Sequence, residues 1–296
     1  MGYFTLGELI GEARRQLGIT QEELAYGICS PGTISKIENG CAIPKRHNYE
    51  ALMQRLGKAP NLFQPHATQG DIEMLEWMQK VHRAVKHQRI EEAATLLANQ
   101  KEVMEHMGVL YRQYYLYMNA IVHSCMEREP AEVLKELEQA LSLTGLTVEN
   151  YLKLRRLFTS DEIIILNNMA IQYQRQKDYK AACRIWDRME EYLERRQMDE
   201  AEKEKLYPLI LFNYGNLLYE MRIYEEAIEL CEKGITYCRL SSCYVMLPYL
   251  LYCKAVCMQS KGEAKTAEEI SVQVQHLLHV LTPTGELNCK PVNLTL

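Results

Sequence analysis

Residues 18–40, GITQEELAYGICSPGTISKIENG, decide how this chain is read. Thr20 and Glu23 have capping-box spacing, in which side chain and backbone satisfy each other's hydrogen bonds at a helix start, so a short helix QEELAYGI over 21–28 is predicted. Ser30 followed by Pro31 reads as N-cap and first helical residue, because the N–H that proline lacks has no intrahelical partner there. That helix ends at Asn39-Gly40, where glycine permits a left-handed exit. Working outward, Thr5 and Glu8 form a second capping box, opening a helix that closes near Leu17 with Gly18 as its stop. On the other side a helix runs from about Arg46 to Leu56 and stops at Gly57. The apolar positions Leu6, Ile10, Leu17, Leu24, Ile34, Ile37, Leu52 and Leu56 then form one small core.

Short helix, tight turn, short helix is the arrangement that lets a second helix enter the major groove while the first spans the backbone. TQEELA, TISKIENG, Pro44 and the closing Leu56-Gly57 resemble the helix-turn-helix of the phage-repressor (XRE/Cro) family. GICS before the third helix resembles more narrowly the Rgg/PlcR/NprR/PrgX (RRNPP) group, regulators that respond to signalling peptides. The resemblance implies phosphate contacts from Gln21, Asn39 and Arg46. It places base reading at the start and middle of the third helix, which here hold Pro31, Gly32, Thr33 and Lys36, with Ser30 and Ser35 counted as further DNA-binding residues. Pro31 and Gly32 offer no side-chain hydrogen bond, so direct readout is thin: Lys36 can bond guanine and Thr33 can touch a thymine methyl, while Ser35 serves phosphate or base. DNA shape then carries more of the specificity. For Ser35 and Lys36 a merely solvated helix face is the competing reading. Arg14 and Glu38 match a pair that is a structural salt bridge in the phage repressors, and are read as scaffold.

Beyond a linker at 59–70 the chain reads as helical almost throughout to 282, with a non-periodic tail at 283–296. Helix starts are expected at Asp71, Pro130, Ser160 and Asp178, and breaks at Gly108, Gly145 and Gly262. Ala170 and Ala182, Gly215 and Ala227, and Ala255 and Ala267 are each 12 apart, a spacing at which small residues let the two helices of a hairpin pack closely. This resembles the tetratricopeptide (TPR) repeat. Two weaker hairpins precede, at about 71–106 and 108–144, and 147–158 reads as an added helix or an extension. The expected fold is all-α: an N-terminal helix-turn-helix bundle over 1–58, then a right-handed TPR-like solenoid over 71–282 with a concave inner surface. TSDEIIILNNMAIQYQRQKDYKAA is similar to a characteristic repeat of the same peptide-sensing group, which implies a homodimer and a secreted, re-imported quorum-sensing peptide in the groove.

An extended peptide presents backbone donors and acceptors in a line, and asparagine carries one of each. Asn168 and Asn213 hold the same repeat position, two residues before the small one, with Asn119 their equivalent in an earlier hairpin. The same inner face takes Asn167, Gln174 and Arg175 from one repeat, Asn216 and Tyr219 from the next, and Tyr249, Tyr252 and Gln259 from the last. The asparagines are open to a second use, capping turns or bonding backbone between helices. Arg175 is either a carboxylate partner or a surface charge.

Composition bounds these readings. The net charge is -5, yet residues 1–60 hold seven Lys and Arg against six Glu, a net of +1, so DNA affinity rests on a few placed cations and two heads per assembly are expected. Ten cysteines with no CxxC pair and no His at a matching interval argue against a metal site; most read as small buried hydrophobes. No secretory start, no apolar run of roughly 20 residues and no catalytic motif is found, which predicts a cytoplasmic, non-enzymatic protein without cofactor. Double-stranded DNA and a short peptide are the expected partners; a TPR scaffold that grips a protein partner and is merely tethered to DNA is the alternative.

Overall fold

The computed structural model describes residues 5–59, 69–153, 157–195 and 198–281, and among them are sixteen α-helices and no strand. The head comprises α1 (Leu6–Gln16), α2 (Gln21–Ala25), α3 (Pro31–Glu38) and α4 (Arg46–Arg55). Both capping boxes are formed, Thr5 with Glu8 and Thr20 with Glu23. Gly18, Gly40 and Gly57 take the left-handed conformation, at φ 66, 70 and 64. Ile10, Leu24, Ile34, Ile37, Leu52 and Leu56 are buried, with Leu6 and Leu17 packed against them. Gly7 lets α1 cross α3: a Cβ there would lie 2.0 Å from the Ile37 carbonyl oxygen. The second helix is shorter than the predicted 21–28. It ends at Ala25 because Tyr26 turns extended (φ -51, ψ 120) and Gly27 reverses at φ 70.

Five hairpins follow: α5 (Gln69–Lys86) with α6 (Ile90–Ala98) and the short α7 (Lys101–Glu105); α8 (Val109–Cys125) with α9 (Pro130–Ser142); then, after α10 (Val148–Lys153), α11 (Ser160–Arg175) with α12 (Tyr179–Arg195); α13 (Glu200–Glu220) with α14 (Tyr224–Leu240); and α15 (Leu247–Ser260) with α16 (Ala264–Leu281). The fold is therefore all-α, a helix-turn-helix bundle followed by TPR-like hairpins. The expected starts at Pro130 and Ser160 hold. Asp178 caps α12 by accepting from the Ala181 N–H at 3.1 Å, and α5 begins two residues before Asp71. The expected tail lies outside the described residues, as does most of the linker.

The 12-residue pairs mark the helix crossings. Ala170, Ala182, Ala227, Ala255 and Ala267 are all buried, and a Cβ on Gly215 would stand 3.4 Å from Cys231 Sγ and 3.6 Å from Cys253 Sγ. Each hairpin turn is closed by one left-handed residue: Gln88, Glu127, Lys177, Arg222 and Gly262. Each has the same pair of bonds. In the third turn, the Lys177 N–H reaches the Gln174 carbonyl at 2.8 Å and the Asp178 N–H reaches the Tyr173 carbonyl at 2.9 Å, the Schellman pattern that satisfies the last carbonyls of a helix. In α13, Pro208 cannot bond the Glu204 carbonyl one turn back, and the Cys243 thiol sits 3.5 Å from that oxygen instead.

The chain packs as two compact units, 1–169 with 197–200, and 170–196 with 201–296. The first holds the head and the first two hairpins. No described helix is long and apolar enough to cross a membrane.

Candidate nucleic-acid interface and ligand-binding residues

The helix expected to read DNA is α3. Ser30 caps it, its hydroxyl accepting from the Thr33 N–H at 3.1 Å and lying 2.9 Å from the Thr33 hydroxyl. Pro31, Gly32, Lys36 and Asn39 are exposed along it; Thr33 and Ser35 are half-buried. Gly32 meets no steric demand, since a Cβ there would find only Ser30 Oγ, at 3.8 Å. α3 is pinned to α1 by Glu38. Its carboxylate takes Arg14 Nε at 2.6 Å and Nη2 at 3.0 Å, and Gln21 Nε2 at 2.8 Å, while Arg14 Nη1 donates to the Ile19 carbonyl at 2.8 Å. Burial alone would raise the Glu38 pKa; the bonds from Arg14 and Gln21 and the charges of Arg14 and Arg15 outweigh it and hold the carboxyl below its ordinary range. The Arg14–Glu38 scaffold pair is thus present, and Gln21 is engaged by it. Arg46 is half-buried and bonds Glu50 at 2.8 Å.

Sequence reasoning missed how the head is seated on α8, on the loop after α9 and on the start of α11. Arg55 is 2% exposed. Its Nη1 donates to the Leu24 carbonyl at 3.1 Å and, at short range, to the Tyr26 carbonyl; its Nη2 lies 3.5 Å from Glu162 Oε1. These are carbonyls that the early end of α2 frees. Glu162, fully buried, also accepts from the Thr144 hydroxyl at 2.7 Å and the Thr159 N–H at 3.0 Å. Around this pair Tyr26 donates to the Gly145 carbonyl at 3.3 Å, and Gln54 accepts from the Ser160 N–H at 3.2 Å. A Cβ on Gly27 would strike the Thr144 carbonyl oxygen at 2.4 Å. His47 stacks on Tyr111 with ring centres 4.0 Å apart; burial, opposed by the charge of Asp71, lowers its pKa to about 4, so the imidazole is neutral at ordinary pH. A signal existed: Arg55 falls three residues after Leu52 and four after Ala51, on the buried face of α4.

The groove candidates fall in both units. In the first, Asn167 and Asn168 are each 2% exposed and Asn119 is half-buried. Asn168 Nδ2 donates to the Ile164 carbonyl and Asn119 Nδ2 to the Tyr115 carbonyl, both at 2.8 Å, so each amide bonds the turn before it in its own helix. In the second unit Asn213 is 1% exposed and Gln174 is buried, while Asn216, Tyr219 and Arg175 are half-buried and Tyr252 is exposed. Arg175 bonds Gln172 Oε1 at 3.1 Å, Tyr219 packs on Tyr224, and Tyr249 packs edge-on against Phe212. Cys231, Cys238, Cys253 and Cys257 are buried free thiols; burial, with Cys243 nearby, pushes Cys238 up to about 12.

Fold and geometry define a class: a helix-turn-helix protein with an array of helical hairpins behind its head. Comparison with protein families agrees, residues 10–63 matching a helix-turn-helix model and residues 77–281 the RNPP family C-terminal domain. The chain belongs to the RNPP family. Among solved structures it is similar to PlcR of Bacillus thuringiensis in complex with the peptide PapR7 and DNA, at 18% identity and a TM-score of 0.62, over 93% of this chain and 95% of that one. PlcR in its apo form gives 17% and 0.59 over the same shares. ComR from S. thermophilus, in complex with DNA and its signalling peptide ComS, gives 16% and 0.54, over 95% of each chain. These likenesses concern the fold. No curated protein sequence matches the chain.

Proposed function

We propose that this protein is a transcription regulator that binds DNA through residues 1–58 and is gated by a short peptide held on the hairpins of 71–282. The observation that carries the reading is the union, in one RNPP-family chain, of an exposed capped helix with a hairpin array behind it. PlcR and ComR, whose fold it shares, were each captured with DNA and a peptide. Within α3, Lys36 is an exposed cation with no ion pair among the described residues, suited to a guanine edge or a phosphate. Gly32 costs its helix roughly 0.5–1 kcal/mol relative to alanine, and the fold gives no return for it. A bare backbone at the start of a reading helix admits close approach of the duplex. Two copies supply two heads, because one head with few free cations binds weakly.

For the peptide, the side-chain oxygens of Asn119 and Asn168 and the half-buried Asn216, Tyr219 and Arg175 are the proposed contacts, with Asn167, Gln174, Asn213 and Tyr252 beside them. The test is selection of bound duplexes from a random pool, then titration with pooled short synthetic peptides. Enriched duplexes are expected to carry two half-sites, and the peptides to change their affinity. Lys36→Ala should remove about 1–3 kcal/mol of discrimination while weakening random-duplex binding less. Failure to enrich any duplex would overturn the reading.

A further inference from the structure

Ala267, Ile270, Val274 and Leu278 form the buried side of α16, which packs on α15. The opposite side holds Val272, His276, His279 and Val280, all exposed, the two valines at 46% and 79%. At 3.6 residues per turn these four fall within an arc of about 100°. The end of a repeat array is ordinarily polar on its outer face, because no further hairpin covers it. Here it carries two valines around two imidazoles. His276 and His279 are three residues apart, a spacing that sets their Cβ atoms about 5–6 Å from each other on adjacent turns. Neither imidazole has a hydrogen-bond or ion-pair partner among the described residues. No other two described histidines share a helix face in this way: His47 stacks on Tyr111, His123 bonds Glu136 at 2.7 Å, and His82 and His87 are five apart.

Neutral imidazole is the commonest side-chain ligand of transition-metal ions, and zinc takes four ligands in a tetrahedron. Among the described residues no three His, Cys, Asp or Glu of one chain gather about a point. The pair on α16 therefore offers half of a zinc site and leaves two positions open. A second copy related by a twofold axis brings the same pair to the same point, since such an interface sets one patch against itself. We infer that His276 and His279 bind a divalent transition-metal ion of the zinc class together with the same two residues of a second copy, joining two chains through α16. The contact also covers Val272 and Val280, which flank the imidazoles along the helix. The metal site stands on this geometry alone; its consequence for DNA, two heads brought into one assembly, rests on the regulator reading.

The full chain, stripped with a chelator that is then removed, is compared with its His276→Gln/His279→Gln variant. Both substitutions are at exposed positions, and circular dichroism checks that the fold is kept. Zinc chloride is the probe. Calorimetry on the wild type should count one ion per two chains. Sedimentation should show association moving to about tenfold lower protein concentration when zinc is added, because an ion bound only by the assembled form stabilises it. The histidine variant should lose both effects. A second variant, Val272→Lys/Val280→Lys, keeps the imidazoles but sets like charges against each other across the axis, and should bind zinc more weakly without associating. Equal zinc binding by the wild type and the histidine variant overturns the site. One ion per chain with no change in association overturns its sharing, and with it the proposal. These readouts involve neither DNA nor peptide, so they decide the inference even if no duplex is enriched and the regulator reading falls. Where that reading holds, zinc should tighten binding of a two-half-site duplex by the wild type and not by the histidine variant.

Discussion

Arg55 and Glu162 show how much one buried pair can carry. Their side chains are 1% and 0% exposed, so removing either leaves the other charge inside the protein. Arg55→Met is expected to cost about 3–5 kcal/mol. Glu162→Gln, which keeps an acceptor for Thr144 and Thr159, strands the guanidinium and is expected to cost a similar amount. The double variant Arg55→Met/Glu162→Gln should be more stable than the sum of the two losses implies, by about 1–3 kcal/mol, since only one pair is lost. Urea denaturation followed by circular dichroism measures all three; additive losses would show that the two groups do not act as a pair. The pair was half legible. The burial of Arg55 follows from its register in α4, but its partner lies 107 positions along the chain, where no local pattern points back to it.

At the scale of elements, the head was easier to read than the hairpins for a conformational reason. Each left-handed stop in the head falls on glycine, at Gly18, Gly40 and Gly57, whereas four of the five hairpin turns place Gln88, Glu127, Lys177 or Arg222 there. A β-carbon in that region costs roughly 1–2 kcal/mol, and these residues hold it because the Schellman bonds and the helix crossings on either side fix the turn. Lys177→Gly and Arg222→Gly should therefore each stabilise the chain by about 0.5–1 kcal/mol, the relief of strain exceeding the entropy glycine adds to the unfolded state. Gly262→Ala, at φ 91, should move the other way by about 1 kcal/mol. Thermal unfolding of the three variants checks the signs. A loss on Lys177→Gly would mean that the lysine side chain, rather than the backbone, holds the turn. The crossings themselves were legible, because small side chains at a 12-residue interval answer a steric demand that repeats with the hairpin.

For the molecule, the head is not a bead on a string. Leu110, in α8, is 3% exposed within the core cluster of the helix-turn-helix, together with Ile10, Ile34, Tyr49 and Leu52. A shared core makes the head's stability depend on the first hairpins. Leu110→Ala is expected to cost about 2–5 kcal/mol and to lower amide protection in α1–α4 as well as in α8. Hydrogen exchange resolved by segment is the measurement; unchanged protection in the head would show that it folds independently. The same seating gives the hairpins a physical route to the head, because a shift in α8 or α11 acts on His47, Gln54 and Arg55 of α4 directly.

What the sequence determined by itself is local or periodic: capping boxes, glycine stops, the Arg14–Glu38 scaffold pair known from resemblance, and the spacing of small residues. Apart from the Arg14–Glu38 pair, whose partners are 24 positions apart and which came through the resemblance, each rests on groups within a few residues of one another or on a repeated steric need. What only the tertiary structure decided is non-local. The early end of α2 has its freed carbonyls taken up by Arg55, and the amides of Asn119 and Asn168 turn back onto their own helices. The head shares a core with α8. Such pairings depend on which surfaces meet when helices pack, and helical periodicity gives the face of a residue without giving the partner opposite it.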